Sequence, residues 1–214
     1  MKTLICFGDS NTHGTLPMRS IDDKRRFAFY ERWPGVVAEF LGDGWSIIEE
    51  GLPGRTTVHD DPIEGRHKNG MSALPMVLET HRPIDALVIM LGTNDLKARF
   101  SVGPWDIADA AGRLVEAAIS IPCWADENNP SILLVCPAPI IETGSLTQMF
   151  AGGEAKSKLF GEFFASAVDR FPCEYLDAGT VFKSSPVDGI HLDESAHKSL
   201  GLAIGQKIKS MHDE

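Results

Sequence analysis

The segment ALVIML at residues 86–91 is apolar at every position and runs directly into the polar segment GTND at 92–95. A second uninterrupted apolar run, SILLVC, lies at residues 131–136. Strands with one solvent-exposed face alternate apolar and polar residues, whereas parallel strands that are covered on both faces are apolar throughout. These two segments therefore predict the centre of a buried parallel sheet.

Three shorter apolar runs predict three further strands, at residues 3–7, 45–49 and 174–176. Between the strands, apolar residues recur at the spacing of an amphipathic helix in the segments 33–40, 107–118, 159–168 and 200–208. Strands that alternate with helices imply right-handed crossovers and a parallel, doubly wound α/β sheet. Because neither a break in composition nor a flexible linker divides the chain, we expect one domain over residues 1–214.

The charge balance bears on the partners. The 214 residues include 20 Lys and Arg against 30 Asp and Glu, which leaves a net charge of −10. An acidic protein repels phosphate backbones and anionic lipid surfaces at long range. We therefore expect neither nucleic acid nor a membrane among the main partners.

The cysteines and the N-terminus bear on the compartment. The four cysteines are spread unevenly and form no C-x-x-C pair, so the sequence does not support a zinc or thioredoxin-like site. Few cysteines in a chain of this length are typical of a reduced, intracellular protein. The apolar run at the N-terminus is shorter than the roughly 7–15 residues of a signal peptide, and no window reaches the roughly 18 apolar residues of a membrane helix. We predict a cytoplasmic protein.

Two predicted connections, at residues 11–31 and 137–153, are longer than tight turns require. Loops of more than about 12–15 residues in a compact domain are usually functional or interfacial. We consider three roles for them: solvated surface loops, walls of a substrate pocket, or contacts with a neighbouring subunit.

Four polar segments are expected to meet at the carboxyl edge of the predicted sheet, where open α/β sheets bind their ligands. They read GDSN, GLPG, GTND and DGIH, and they lie at residues 8–11, 51–54, 92–95 and 188–191.

Ser10, Asp188 and His191 together supply a nucleophile, an orienting carboxylate and a base. A serine hydroxyl is a poor nucleophile until a neighbouring imidazole takes its proton, and a carboxylate fixes the tautomer of that imidazole. Taken singly, Ser10 also fits a helix cap, and His191 fits a structural histidine. The sequence lacks the G-x-S-x-G elbow of α/β-hydrolases.

Acyl transfer also needs hydrogen-bond donors for the developing oxyanion. The candidates are the backbone N–H groups of Ser10 and Gly54 and the side-chain amide of Asn94. A glycine allows a ligand to approach the backbone closely, although Gly54 alone also fits a plain turn. Asn94 alone equally fits a helix cap or an Asx turn. The combination of these residues favours an acyl-transfer site.

The four motifs GDSN at 8–11, glycine at 54, GTND at 92–95 and DGIH at 188–191, in this order, resemble the blocks of the SGNH-hydrolase (GDSL esterase/lipase) superfamily. The resemblance extends from residue 4 to about residue 205. Further stretches resemble its arylesterase/acyltransferase branch, which includes bacterial perhydrolase-type enzymes. These are CFGDS at 6–10, EEGLPGRTT at 49–57, IMLGTND at 89–95 and DAGTVF at 177–182.

The resemblance implies a flavodoxin-like, three-layer α/β/α fold with Ser10 as nucleophile, His191 as base and Asp188 as its partner. It also implies an oxyanion hole formed by Ser10, Gly54 and Asn94. Members of the branch act without a cofactor on short acyl and aryl esters. They can pass the acyl group to alcohols or peroxide, and they form homo-oligomers, including octamers.

Three residues near the predicted nucleophile are possible pocket residues: Asp9, Asn11 and His13. Asn11 and His13 stand where the perhydrolase-type pattern carries Leu and Trp, so the substrate preference of that branch is not carried over. His13 fits a pocket, a structural or a chemical role. For Asp9 we expect a hydrogen bond to the backbone of the turn, and we expect no metal site, since neither HExxH nor another ligand spacing occurs.

The predicted function is that of a cofactor-free serine esterase acting on a small-molecule ester. One alternative is a carbohydrate O-deacetylase, which would use the same triad. A second is a non-catalytic binding protein of the same fold. A third is a metal-dependent phosphoesterase that would use Asp9, Asn94, Asp95 and His191.

Overall fold

The computed structural model describes residues 1–212. Its strands are β1 (Lys2–Gly8), β2 (Trp45–Gly51), β3 (Ala86–Met90), β4 (Ile132–Cys136) and β5 (Glu174–Asp177). Its α-helices are α1 (Ser10–His13), α2 (Trp33–Leu41), α3 (Gly70–His81), α4 (Pro104–Ser120), α5 (Gly153–Ser157), α6 (Phe160–Val168) and α7 (Glu194–His212). All five predicted strands are confirmed, with ends that agree to within two residues.

The strands form one sheet in the order β2-β1-β3-β4-β5, and every neighbouring pair is parallel. In the register of the sheet, Gly8 at the end of β1 lies between Gly51 of β2 and Met90 of β3. Because all strands run in the same direction, their carboxyl ends share one edge. The polar segments that follow β1, β2 and β3 therefore start side by side.

Alternate residues of the central strands face two different helical layers. One face packs against α3, α4 and α6 through the strand residues Ile5, Phe7, Leu87, Ile89, Ile132 and Leu134. The other packs against α2 and α7 through Leu4, Cys6, Val88, Leu133 and Val135. This two-sided burial explains the continuous apolar runs and confirms the three-layer α/β/α prediction.

Helix α3 was not predicted from the apolar spacing. It begins at Gly70 and contains Pro75, two residue types that disfavour a helix interior. The side chain of Asn69 caps its first turn, and Leu74 and Leu78 are fully buried against the sheet. Tertiary packing and the cap therefore outweigh the weak local propensity.

The first long connection, predicted as an irregular loop over 11–31, begins with one helical turn, α1, and then makes a compact excursion. Thr15 and Arg26 form an antiparallel bridge across it. Arg26 Nε donates to the carbonyl oxygen of His13 at 2.6 Å. At its end, Arg32 Nε donates to Glu49 of β2 at 2.9 Å. The first bond holds the excursion to α1, and the second holds its end to β2.

Helix α7 covers the face of the sheet shared with α2, with Leu200, Ile204 and Ile208 buried at four-residue spacing. None of the helices in residues 1–212 combines the length and the apolar character that crossing a lipid bilayer would need.

His197 lies in the same helix and is buried as a neutral side chain. Its Nδ1 accepts the backbone N–H of Trp33 at 3.3 Å, and its Nε2 has no hydrogen-bond partner among the described residues. Burial lowers the pKa of His197 to about 3. Since an unfolded histidine titrates at about 6.5, the unfolded chain binds the extra proton between these two pH values. This group therefore makes the protein less stable as the pH falls below about 6.5.

We predict that His197→Asn, which keeps an acceptor for Trp33, flattens this pH dependence. The free energy of unfolding, from urea titrations, should favour the wild type at pH 7. That advantage should shrink by about 2 kcal/mol at pH 5. Groups that titrate alike in both proteins cancel in the difference. An advantage that is the same at pH 7 and pH 5 would contradict the prediction.

Candidate active site

The turn after β1 presents Ser10 at the carboxyl edge of the sheet. Asp9 caps α1, since its Oδ1 accepts the N–H of Asn11 at 2.9 Å. Gly14 ends the helix after one turn in the left-handed conformation, at φ +84°. The helix cap considered for Ser10 is therefore supplied by Asp9, and the Ser10 hydroxyl is left for another partner.

That partner is His191, and behind it lies Asp188. His191 Nδ1 lies 2.6 Å from Asp188 Oδ2, and its Nε2 lies 3.1 Å from Ser10 Oγ. Because an ionised carboxylate only accepts, Nδ1 carries the ring proton and Nε2 accepts the Ser10 hydroxyl. The structure thus brings together the three side chains that were predicted as nucleophile, base and orienter.

The Asp188 carboxylate is buried and fully engaged. Its Oδ1 accepts the N–H groups of Ile190 and His191, both at 3.0 Å, and its Oδ2 also accepts the N–H of Met18 at 2.6 Å. Burial raises the pKa of Asp188, but the hydrogen bond and charge of His191 and the backbone donors outweigh it. The pKa is held below the usual range.

The turn that carries this pair requires a glycine. Gly189 adopts φ +74°, and a Cβ at this position would collide with the carbonyl oxygen of Ile141. The N–H of Ile141 in turn donates to the Gly189 carbonyl at 2.9 Å. The second long connection is therefore packed directly against the DGIH turn.

Gly54 and Asn94 flank the cavity beside Ser10. Gly54 adopts φ +82°, and its N–H makes no hydrogen bond within residues 1–212. Asn94 Nδ2 donates to Asp9 Oδ2 at 3.2 Å and to the Arg55 carbonyl at 3.1 Å. These two acceptors fix the orientation of the Asn94 amide, which links the turn after β1 to the turn after β2.

Arg55 and Asp95 fix these turns, a role that the sequence analysis did not predict for either residue. Arg55 donates from Nη1 to the Gly8 carbonyl at 3.0 Å and lies over the Phe7 ring, and burial lowers its pKa to about 10. Asp95 accepts Thr57 Oγ1–H at 2.7 Å and the Nδ1–H of His59 at 2.8 Å. The hydrogen bond to Asp95 raises the pKa of His59. The sequence does not reveal these contacts, because the partners are brought together only by the sheet.

A cavity of about 420 Å³ opens beside Ser10, within the usual ~300–1,000 Å³ of small-molecule sites. The segments 11–31 and 137–153 both contribute to it, so of the roles considered the structure supports pocket walls. The lining consists of Ser10, His13, Thr15, Met18, Ile21, Asp23, Lys24, Pro53, Gly54, Glu64, Lys68, Asn94, Lys97, Leu146, Met149, Phe150, Ile190 and His191.

Of the three possible pocket residues, only His13 lines this cavity. Its Nδ1 lies 3.2 Å from Thr15 Oγ1, and burial and the nearby arginines lower its pKa. Asp9 and Asn11 are buried and lie outside the lining of this cavity. The hydrogen bond predicted for Asp9, to the backbone of the turn, is the one that it accepts from the N–H of Asn11. Asn11 Nδ2 instead donates to the Ile190 carbonyl at 3.2 Å, so it braces α1 against the DGIH turn.

The side chains that a metal-dependent phosphoesterase would need are directed to separate protein partners. Asp9 accepts from Asn11 and Asn94, whereas Asp95 accepts from Thr57 and His59. In the described part of the chain, no group of three or more His, Cys, Asp or Glu side chains is arranged to hold a metal ion.

The protein has a three-layer α/β/α fold, and the carboxyl edge of its sheet carries hydrogen-bonded Ser, His and Asp side chains. This arrangement is typical of serine hydrolases. The model of the GDSL-like lipase/acylhydrolase family matches residues 6–198. The chain belongs to this family and is an ester hydrolase of the SGNH type. The family predicted from the four motifs is thus confirmed.

Several of the solved structures that are similar over nearly the whole chain are described as esterases. An aryl esterase from M. smegmatis is 37% identical, covers 98% of this chain and 99% of its own, and superposes with a TM-score of 0.91. A carbohydrate acetylesterase from Sinorhizobium meliloti is 36% identical, with coverage of 99% and 100% and a TM-score of 0.92. A putative arylesterase from Agrobacterium tumefaciens is 31% identical, with coverage of 98% and 99% and a TM-score of 0.83. None of the curated proteins matches the chain.

We predict that Asp9→Asn lowers kcat for p-nitrophenyl acetate about 10- to 100-fold with little change in KM. The oxygen of the introduced amide would keep the cap by accepting the N–H of Asn11. The NH₂ group of the introduced amide would then face the Asn94 amide, so that two hydrogen-bond donors would oppose each other. The Asn94 amide would then lose its orientation. Asp85→Asn is the control, since Asp85 also accepts a backbone N–H, that of Thr3, outside the site. Equal effects of the two variants would refute this positioning of Asn94.

Proposed function

We propose that this ester hydrolase is a serine esterase that cleaves short-chain acyl and aryl carboxylic esters through an acyl-enzyme on Ser10. The observation that carries the proposal is the hydrogen-bonded series from Ser10 Oγ through the His191 ring to Asp188. Ser10 and His191 line the cavity of about 420 Å³. The assignment of a chemical role to each residue rests on this geometry.

In the first half of the reaction, Ser10 Oγ attacks the ester carbonyl carbon while its proton passes to His191 Nε2. The imidazolium that forms is stabilised by Asp188 through the Nδ1–H. When the tetrahedral intermediate collapses, the bond to the alcohol oxygen breaks and that oxygen takes the proton from Nε2. Water then attacks the carbonyl carbon of the acyl-enzyme and gives a proton to His191 Nε2. When this second tetrahedral intermediate collapses, the bond to Ser10 Oγ breaks, that oxygen takes the proton back from Nε2, and the acid is released.

The oxyanion of each intermediate needs donors that are already in place. The N–H of Gly54 makes no hydrogen bond within the described chain, and Gly54 lines the cavity. The N–H of Ser10 belongs to the start of α1, where helical N–H groups lack an intrahelical partner. Asn94 Nδ2 contributes by sharing one of its two hydrogen bonds, those to Asp9 and Arg55, with the oxyanion.

The cavity lining supports the substrate class. Methionine, leucine and phenylalanine side chains of the two long connections provide an apolar surface for a small acyl or aryl group. The similarity to the M. smegmatis aryl esterase supports the same class. An alcohol that replaces water in the second half would be acylated, which is the acyltransferase side activity we include in the proposal.

O-deacetylation of carbohydrates is the second candidate. It would use the same triad, and the similarity to the Sinorhizobium meliloti carbohydrate acetylesterase favours it. The choice between the two depends on the cavity walls and not on the catalytic side chains.

We predict that Ser10→Ala lowers the turnover of p-nitrophenyl acetate by at least about 10⁴-fold. The variant removes the attacking oxygen, and it leaves the cap of α1 intact because Asp9 provides it. Ser199→Ala, which removes an exposed serine hydroxyl on α7, is the matched control and should keep full activity. Thermal unfolding of both variants checks the fold. Substantial turnover by folded Ser10→Ala would disprove the mechanism.

We predict that kcat/KM falls steadily from p-nitrophenyl acetate to the octanoate, because the packed side chains of the cavity walls limit the length of the acyl chain. Phe150, for example, is only 3% exposed and cannot move aside freely. A chelator should leave all rates unchanged, since the proposed steps use only side chains and backbone N–H groups. A preference for octanoate, or a loss of activity with chelator, would count against the proposal.

A further inference from the structure

The cavity beside Ser10 has a polar part that the proposed steps do not use. We call it the polar wall, and it consists of Gly54, Glu64, Lys68 and Lys97. It comes mainly from the segment between β2 and α3, whereas the apolar lining comes from the two long connections. A wall built only to enclose a small apolar group would not need three charged side chains.

Glu64 is held in place by two cations. Its Oε1 accepts Lys97 Nζ at 2.5 Å and Arg99 Nη2 at 2.9 Å. Lys97 and Arg99 are also 3.5 and 3.6 Å from the buried carboxylate of Asp61. Lys97 is only 2% exposed, so its ammonium group cannot swing away from these partners. The Glu64 carboxylate is therefore fixed before any ligand arrives.

Glu64 and Lys68 converge over Gly54, which we propose as an oxyanion donor. A Cβ at Gly54 would collide with Glu64 Oε2 and lie 3.4 Å from Lys68 Cε. Any group bound between these side chains would thus lie next to the reacting carbonyl.

Both side chains keep unused hydrogen-bonding capacity. Glu64 Oε2 makes no hydrogen bond to the described residues, because both cations bind Oε1. Lys68 Nζ donates to the Pro53 carbonyl at 2.7 Å, which leaves two of its three donors for a ligand. The site therefore offers one fixed acceptor and one donor, both beside Gly54.

A hydroxyl group is the ligand that fits this pair. It donates to the carboxylate and accepts from the ammonium group at the same time. A carboxylate ligand would face Glu64, and an ammonium ligand would face Lys68, so an ion of either sign meets one like charge.

We propose that Glu64 and Lys68 form a subsite for a hydroxyl group of the substrate, adjacent to the scissile ester. The substrates it favours are hydroxylated esters. This inference rests on the proposed function for the position of the ester, and it adds the recognition of the neighbouring part of the substrate.

The hydroxyl can belong to the alcohol or to the acyl part of the ester, and two substrate pairs separate these cases. Glycerol 1-acetate against propyl acetate places it in the alcohol, and methyl lactate against methyl propionate places it in the acyl group. For each pair, pH-stat titration gives the hydroxyl preference, the ratio of kcat/KM with and without the hydroxyl. We expect a preference of at least about tenfold in one pair.

Two variants test the assignment. Glu64→Gln should keep its oxygen towards Lys97 and Arg99, so an NH₂ donor replaces the cavity-facing acceptor. Lys68→Met removes the donor and loses only the bond to Pro53. Each should lower the hydroxyl preference about five- to tenfold. Lys24→Met, which removes a cation from another part of the same lining, is the control and should keep the preference. If Glu64→Gln does not fold, Lys68→Met decides alone.

A binding measurement separates the inference from the proposed function. In Ser10→Ala protein, calorimetry with glycerol 1-acetate and propyl acetate, or methyl lactate and methyl propionate, reads the subsite without turnover. Tighter binding of the hydroxylated ester supports the subsite even if the wild type cleaves no ester. Equal affinities and equal rates within both pairs overturn the subsite and leave the esterase standing. An equal loss of preference in Lys24→Met and Lys68→Met overturns it as well.

Discussion

The buried carboxylate of Asp188 accepts four hydrogen bonds, and most of the site depends on them. Two come from the backbone of its own turn, one from the imidazole of His191, and one from the N–H of Met18, which is 170 residues away in sequence. A carboxylate buried without donors would be costly, so these bonds favour a single conformation of the turn. Asp188, which sets the tautomer of His191, thereby also holds the first long connection in place beside the cavity.

The topology of the sheet explains why four short motifs in a fixed order were enough to predict which side chains meet at the site. Parallel strands end at one edge, so segments that follow β1 and β3 meet there whatever lies between them in sequence. The continuous apolar runs at 86–91 and 131–136 predicted this sheet correctly because both of its faces are covered. Helix α3 could not be predicted in the same way, since Gly70 and Pro75 weaken the local signal and its formation depends on packing.

The site was predictable only in part, for a related reason. Ser10 lies directly after β1, and Asp188 and His191 lie in the connection between β5 and α7, so the topology brings all three to the same edge of the sheet. The pairing of Glu64 with Lys97 joins residues 33 positions apart, and no periodicity encodes such a contact. The placement of Asn11 depends on a single hydrogen bond from its amide to the turn before His191. Long-range polar contacts of this kind are specified by the complete fold and not by a local pattern.

The catalytic groups come from the edge of the sheet, whereas the cavity lining comes from the loops. This division explains how one catalytic arrangement can serve different esters. The groups expected to react are fixed by the ends of β1 and β3 and by the DGIH turn, which leaves them little freedom to vary. The cavity lining comes from the two long connections and from the segment that follows β2, and these can change without moving a strand. The polar wall is a partial exception, because Glu64 rests against Gly54. A change of charge there would therefore alter both the bound substrate group and the potential at the oxyanion.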